Sequence, residues 1–305
     1  MRRVVSVSLG SSKRDKVHEA NILGEDFVLE RRGTDGDMPK FKALMEELDG
    51  QVDALTVGGA DIWVVVGERK YAFREILDLI SGVKSTPVVD GSGLKHTLER
   101  ETIRHLQHSG TIDFAKEHAL LVSAVDRYGM AQALDAACPH VIYGDLLFGL
   151  GLPIPLRSYK AVEVVGRLFL PIVTTLPFKW FYPTGEKQEK RTPKFPAVFA
   201  ESTVICGDFL YIKKYAPDDM AGKTIITNTV RKADLEWLTT TGLKQIVTTT
   251  PVMGGETFGT NVMEGVVVSL LGKSPDKITT QEYLDVLKRL EWSPQVIPMA
   301  EPAAV

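Results

Sequence analysis

Two rhythms of apolar and polar positions alternate along the chain. Short apolar runs, most of them rich in β-branched residues, fall at 4–9, 54–57, 87–89, 119–125, 140–143, 203–206, 224–227 and 245–249, and these read as strands. Helical segments fall at 39–48, 74–80, 94–107, 130–137, 158–170, 234–240, 261–271 and 280–290. The one at 94–107 is strongly polar, that at 261–271 apolar and the closing one amphipathic. Two pairs of extended segments, 16–23 with 27–32 and 62–66 with 70–73, flank glycine-containing turns and read as hairpins. Gly33-Thr34-Asp35-Gly36-Asp37 turns the chain into the first helix, where Pro39 sits near the first turn and its missing N–H does no harm.

Strands that alternate with helices at this spacing predict an α/β fold: a Rossmann-like, mostly parallel sheet with a smaller N-terminal α/β domain. The expected division is an N-terminal domain over 1–112 on the substrate side, a Rossmann-like nucleotide-binding domain over 113–292 and a flexible tail over 293–305. The run 119–125 (ALLVSAV) is apolar on both faces, the pattern of a strand covered by helices on each side. Parallel sheets of this kind bind ligands beyond the carboxyl ends of their strands, so the residues just after each strand carry the functional argument.

Composition narrows the picture. The chain has 305 residues, 44% of them hydrophobic, and a formal charge of −3, which gives no basic face for a nucleic acid. The basic run at 187–194 is broken by Glu189 and Pro193 and reads as a solvated loop. Cys138 and Cys206 stand alone, outside any zinc spacing, so no metal is expected and both thiols are expected to be buried. The apolar run after Arg2 and Arg3 is too short for a signal core, and no stretch approaches the length of a membrane span. A cytoplasmic protein, without membrane partners and pairing as a homodimer, is the expectation.

Five constellations could carry chemistry. At 119–145 the order is strand, turn, helix, strand, acid, with Asp145 lying 19 residues after Asp126. A dinucleotide fold places a ribose-binding carboxylate at about that distance, after helix N-terminal amides that hold a phosphate. The turn Asp126-Arg127-Tyr128-Gly129 has one glycine where the full fingerprint has three, and a plain βαβ unit capped by Asp126 is the alternative. Two strand ends are rich in hydroxyls, Asn228-Thr229 and Thr249-Thr250-Pro251, and they either line a ligand cleft or cap the helices that follow. Glycines 254, 255 and 259 precede the helix at 261, with Glu256 and Asn261 as polar candidates. Asp90-Gly91-Ser92-Gly93-Leu94-Lys95 leaves a strand and opens a helix, so Asp90 and Lys95 are a candidate acid/base pair or anion cradle. Lys179 and Tyr182, in an aromatic loop, are candidate proton carriers under a lid.

The segments VVSVSLGSSKRDK, GTDGD, VVDGSGLK, VDRYGM and FYPTGEKQ resemble a bacterial group labelled quinate 5-dehydrogenase, over most of the chain. That resemblance implies NAD(P)-dependent oxidation of a cyclic polyol acid. The quinate and shikimate dehydrogenases carry a V-T-x-P-x-K segment, an N-T-D segment and a glycine-rich cofactor loop. Val173-Thr174-Thr175-Leu176-Pro177-Phe178-Lys179 is similar to the first with one residue added. Asn228-Thr229 is followed by Val230 where the second has Asp, and the glycine loop has no counterpart. Three readings stay open: an NAD(P)-dependent oxidoreductase acting on a small polar hydroxy acid, an S-adenosylmethionine-dependent transferase or other non-redox enzyme on the same fold, and a non-catalytic nucleotide sensor.

Overall fold

The computed structural model describes residues 1–67, 69–177, 191–250, 252–253, 256–257 and 259–299. By its internal contacts the chain forms two units that interleave in sequence: residues 1–97, 168–188 and 252–292 make one, and 98–167, 189–251 and 293–305 the other. The first half of the chain supplies β1 (Arg2–Ser8), β2 (Lys16–Ile22), β3 (Glu25–Gly33), α1 (Met38–Leu48), β4 (Ala54–Gly58), β5 (Trp63–Val66), β6 (Arg69–Ala72), α2 (Arg74–Ile80), β7 (Val88–Val89), α3 (Ser92–His108), β8 (His118–Leu121), α4 (Tyr128–Ala137) and β9 (His140–Tyr143). Then come α5 (Tyr159–Val173), α6 (Pro196–Glu201), β10 (Val204–Cys206), α7 (Phe209–Tyr215), β11 (Thr224–Thr227), α8 (Lys232–Thr239), β12 (Gln245–Thr248), β13 (Val252–Met253), β14 (Glu256–Thr257), α9 (Thr260–Leu271), α10 (Thr280–Arg289) and β15 (Gln295–Pro298). The mixed α/β, Rossmann-like architecture with mostly parallel sheets is as the sequence predicts.

In the first unit five strands lie in the order β2-β3-β1-β4-β7, parallel except for β2, which folds back on β3 as the expected hairpin. Central β1 buries valines and serines alike, because helices and neighbouring strands leave neither face to water. Helix α1 begins at Asp37, whose carboxylate accepts the Lys40 amide at 2.9 Å, and it buries Phe41, Met45 and Leu48 at helical spacing. Helix α9 is buried along most of its length and packs on β1 and β4. Gly265 permits that approach, since a Cβ there would stand 2.7 Å from both Val4 and Thr56. Asn261 pins the helix start by donating to the Ser6 and Thr56 hydroxyls, both at 2.9 Å.

The second unit has six strands in the order β15-β12-β11-β10-β8-β9, parallel except for β15. One face packs α4 and the start of α5 through Met130, Leu134 and Val162, and the other packs α6, α7 and α8 through Phe199, Ile212 and Leu238. That double cover explains the unbroken apolar runs of β8 and β10. One expectation is corrected here. The segment after Trp292, read as a loose tail, supplies β15, which pairs antiparallel with β12 and closes its open edge. The polar helix α3 buries Lys95, Thr97, Glu99 and Thr102.

Candidate functional site

In the second unit the sheet grows in opposite directions from its first strand. β9 lies on one side of β8, while β10, β11 and β12 follow on the other. The loops leaving β8 and β10 therefore diverge, and a doubly wound sheet opens a ligand crevice at such a point, beyond the carboxyl ends. Asp126, Arg127, Asp208, Asn228 and Thr229 stand just past those strand ends.

Arg127 is the centre of the group. Only 2% exposed, it pairs through Nη1 with Glu99, which is 1% exposed. Its Nη2 lies 3.0 Å from Asp208 Oδ2, and its Nε lies 3.6 Å from Asp126 Oδ2. Asp208 is held from several sides. Asn228 Nδ2 donates to its Oδ2 at 2.9 Å, and the Leu210 amide donates to Oδ1 at 2.9 Å, which makes Asp208 the N-cap of α7. Asn228 is fixed in turn, with its Oδ1 accepting the Phe209 amide at 3.3 Å and lying 3.0 Å from the Thr227 hydroxyl. The Thr229 and Thr250 hydroxyls lie 3.3 Å apart, joining the ends of β11 and β12. Gly207 lets β10 turn into the site, for its φ is +139° and a Cβ would stand 2.3 Å from Val122 Cγ2. One guanidinium thus faces three carboxylates, a fixed excess of hydrogen-bond acceptors at the mouth of a parallel sheet.

Asp145 plays a different part from the one its spacing suggests. Its Oδ1 accepts the Ala124 and Val125 amides at 2.9 and 3.0 Å. Those amides belong to the turn between β8 and α4, so the carboxylate expected to meet a ribose is bound to the protein's own backbone. Burial pushes the Asp145 carboxyl up to about 6, with the two amides acting the other way. Arg127, in the same turn, is committed to Glu99 and Asp208. Tyr128 and Gly129 are buried in the first turn of α4, where the Tyr128 ring packs against Tyr159 at 5.6 Å. Thr249 and Thr250 are buried at the end of β12, with amides donating to Thr227 and Asn228 carbonyls at 2.8 and 3.2 Å.

Asp90 and Lys95 belong to the first unit and do different jobs. The Asp90 carboxylate accepts the Ile62, Trp63 and Ser92 amides at 2.6, 3.0 and 2.9 Å, so it ties β7 to the β5 entry and caps α3. Lys95 is buried with its Nζ 3.1 Å from Asp61. Lys179, Tyr182 and Pro251 lie outside the described residues, as do Gly254 and Gly255 of the glycine-rich stretch. Glu99 and Asp208 escape the sequence reading. Glu99 is one of many polar residues on a strongly polar helix, whereas Gly207-Asp208, a small residue and an acid directly after a strand, is a signal that could have found the second.

Residues 93–299 match a family model described as a domain of unknown function (DUF8754), and residues 3–90 match one described as DUF8753. No curated protein matches the chain. Among solved structures, a hetero-hexameric glutamate dehydrogenase from Thermus thermophilus is 13% identical, covering 95% of this chain and 74% of that one, with a TM-score of 0.42. A substrate-binding protein of a sugar ABC transport system from Bordetella parapertussis is 10% identical over 92% of this chain and 82% of its own, with a TM-score of 0.37. A periplasmic ribose ABC transporter protein from Conexibacter woesei is 12% identical over 94% and 95%, with a TM-score of 0.39. These similar structures are mostly sugar-binding proteins of transport systems. The expectation of an NAD(P)-dependent oxidoreductase acting on a quinate-like hydroxy acid is corrected. The geometry around Asp145 supplies a physical reason on this chain's own residues. Among the described residues, no helix is long and apolar enough to cross a membrane.

Proposed function

For this chain, which belongs to the family of the domain of unknown function DUF8754, we propose that the crevice between the ends of β8 and β10 binds a small, uncharged, hydroxyl-rich solute. The observation that carries the reading is Asp208, a half-buried carboxylate held at the sheet's switch point by Arg127 and Asn228. A carboxylate fixed in this way accepts hydrogen bonds from neighbouring hydroxyls without having to be ordered on binding. Asn228, Thr229 and Asp126, each half-buried, add further donors and acceptors around it. Electrostatics selects against phosphates, because three carboxylates outweigh the single guanidinium in a partly desolvated site.

Thermal melts test this reading. A ligand present at a hundred times its dissociation constant stabilises by about 2.7 kcal/mol. Neutral sugars or polyols raise the melting temperature, while inorganic phosphate, NAD, NADP and S-adenosylmethionine leave it unchanged. Asp208→Asn keeps the α7 cap acceptor and weakens the hydroxyl-rich ligand by about tenfold or more, the scale of a hydrogen bond to a charged group. A shift produced only by the phosphate-bearing compounds overturns the reading.

A further inference from the structure

A second cavity lies wholly within the first unit, along the free edge of β7, with a volume of about 770 Å³. Its wall includes Trp63, and Asp90 and Glu264 lie among its lining residues. Glu264, on α9, is 3% exposed. The Tyr283 hydroxyl donates to its Oε1 at 2.8 Å, but Oε2 is buried with no hydrogen-bond partner. Gly93 makes room for this pair, since a Cβ there would stand 2.3 Å from Glu264 Oε1 and 2.7 Å from the Tyr283 hydroxyl. A buried acceptor left unmet is costly, and a ligand that meets it recovers that cost on binding.

The charges of the lining say what such a ligand carries. Arg2 and Lys273 also line the cavity, but each is paired with an acid outside it, Glu25 and Glu282 respectively. Four carboxyls, Asp53, Asp90, Glu264 and Asp276, then face two lysines, Lys70 and Lys84. Lys70 already lies over the Trp63 ring, 4.3 Å from its centroid, so this wall attracts an ammonium group by its π face.

We propose that this cleft is a binding site for a small ligand bearing a primary ammonium group, seated against Glu264 Oε2 and Asp90. The geometry is that of a buried acceptor pair behind an aromatic wall, and it stands independently of the site in the second unit. Burial, and then the neighbouring Asp90, push the Glu264 carboxyl up to about 7, with the Tyr283 hydroxyl acting the other way, as do the Gly91 amide, close by but outside hydrogen-bond geometry, and Lys70. An ammonium ligand favours the ionised carboxylate, so its affinity falls as pH drops below about 7.

Calorimetric titration of the full chain with putrescine, and with butane-1,4-diol as its uncharged counterpart, tests the proposal. Putrescine binds with one site at this cleft, at least tenfold tighter than the diol, and more tightly at pH 8 than at pH 6. Glu264→Gln, which keeps the shape and the Tyr283 contact, weakens putrescine at least tenfold. Lys70→Ala removes a competing ammonium and tightens it severalfold, a readout that holds even if the Glu264 variant folds poorly. Asp208→Asn leaves it unchanged, which separates this cleft from the second unit. No putrescine binding, equal binding of the diol, or weakening by Lys70→Ala overturns the proposal, and so does a loss on Asp208→Asn with none on Glu264→Gln.

Discussion

Asp145 shows how far spacing alone carries at the scale of a residue. Its place after β9 is legible, because an acid at the end of the strand beside β8 comes near the turn amides. Its partner is not legible, for a carboxylate at that place can meet a ligand hydroxyl or the turn's own amides, and only the Ala124 and Val125 contacts decide. The raised carboxyl has a consequence for stability. A carboxyl whose folded value lies near 6 against an ordinary 3.8 binds its proton more tightly in the fold. Its contribution is therefore fully present below pH 4 and is lost as pH rises through 6. Asp145→Asn removes that dependence, so its melting temperature gains on the wild type between pH 4 and pH 7, by the equivalent of about 1–3 kcal/mol. A difference that stays constant across that range contradicts the assignment. Gly207 gives a second test. Its positive φ and the proximity of Val122 make Gly207→Ala cost about 2 kcal/mol or more, measured by denaturant unfolding, and a loss below about 0.5 kcal/mol would show that the turn can relax.

Most elements can be read from the chain because pattern and punctuation agree. Helix α10 is a clear case: the Thr279 hydroxyl accepts the Glu282 amide at 3.3 Å while Glu282 Oε2 accepts the Thr279 amide at 3.0 Å. Thr279→Ala is expected to cost about 1 kcal/mol in equilibrium unfolding. Where sequence reading failed, tertiary context outweighed local pattern. Helix α3 looks polar, yet its polar groups are buried in partnerships such as Lys95 with Asp61 and Glu99 with Arg127, whose other halves lie tens of residues away. β15 looks like a loose proline-containing tail because its reason for being a strand is the open edge of β12. Short helices α6 and α7 carry too few turns to register a period.

Across the whole molecule the α/β class is overdetermined, since most of the parallel strands carry their own apolar signature. Each unit's sheet also reverses direction beside its first parallel strand, β1 between β3 and β4, and β8 between β9 and β10. Strand order is not written in any local segment, so neither is the place where loops diverge. The candidate site is accordingly half legible: Arg127 and Asn228 follow strands and invite attention, whereas Glu99 and Asp208 join them only once the order of the sheet is known. The chemistry proposed for it rests on that company of charges rather than on the glycine pattern of a nucleotide fold. Hydrogen exchange of backbone amides with and without the hydroxyl-rich solute that best raises the melting temperature locates the site directly. Bound solute is predicted to slow exchange at 122–127, 207–210 and 228–229 together, and protection confined to other segments, or absent, would contradict the account.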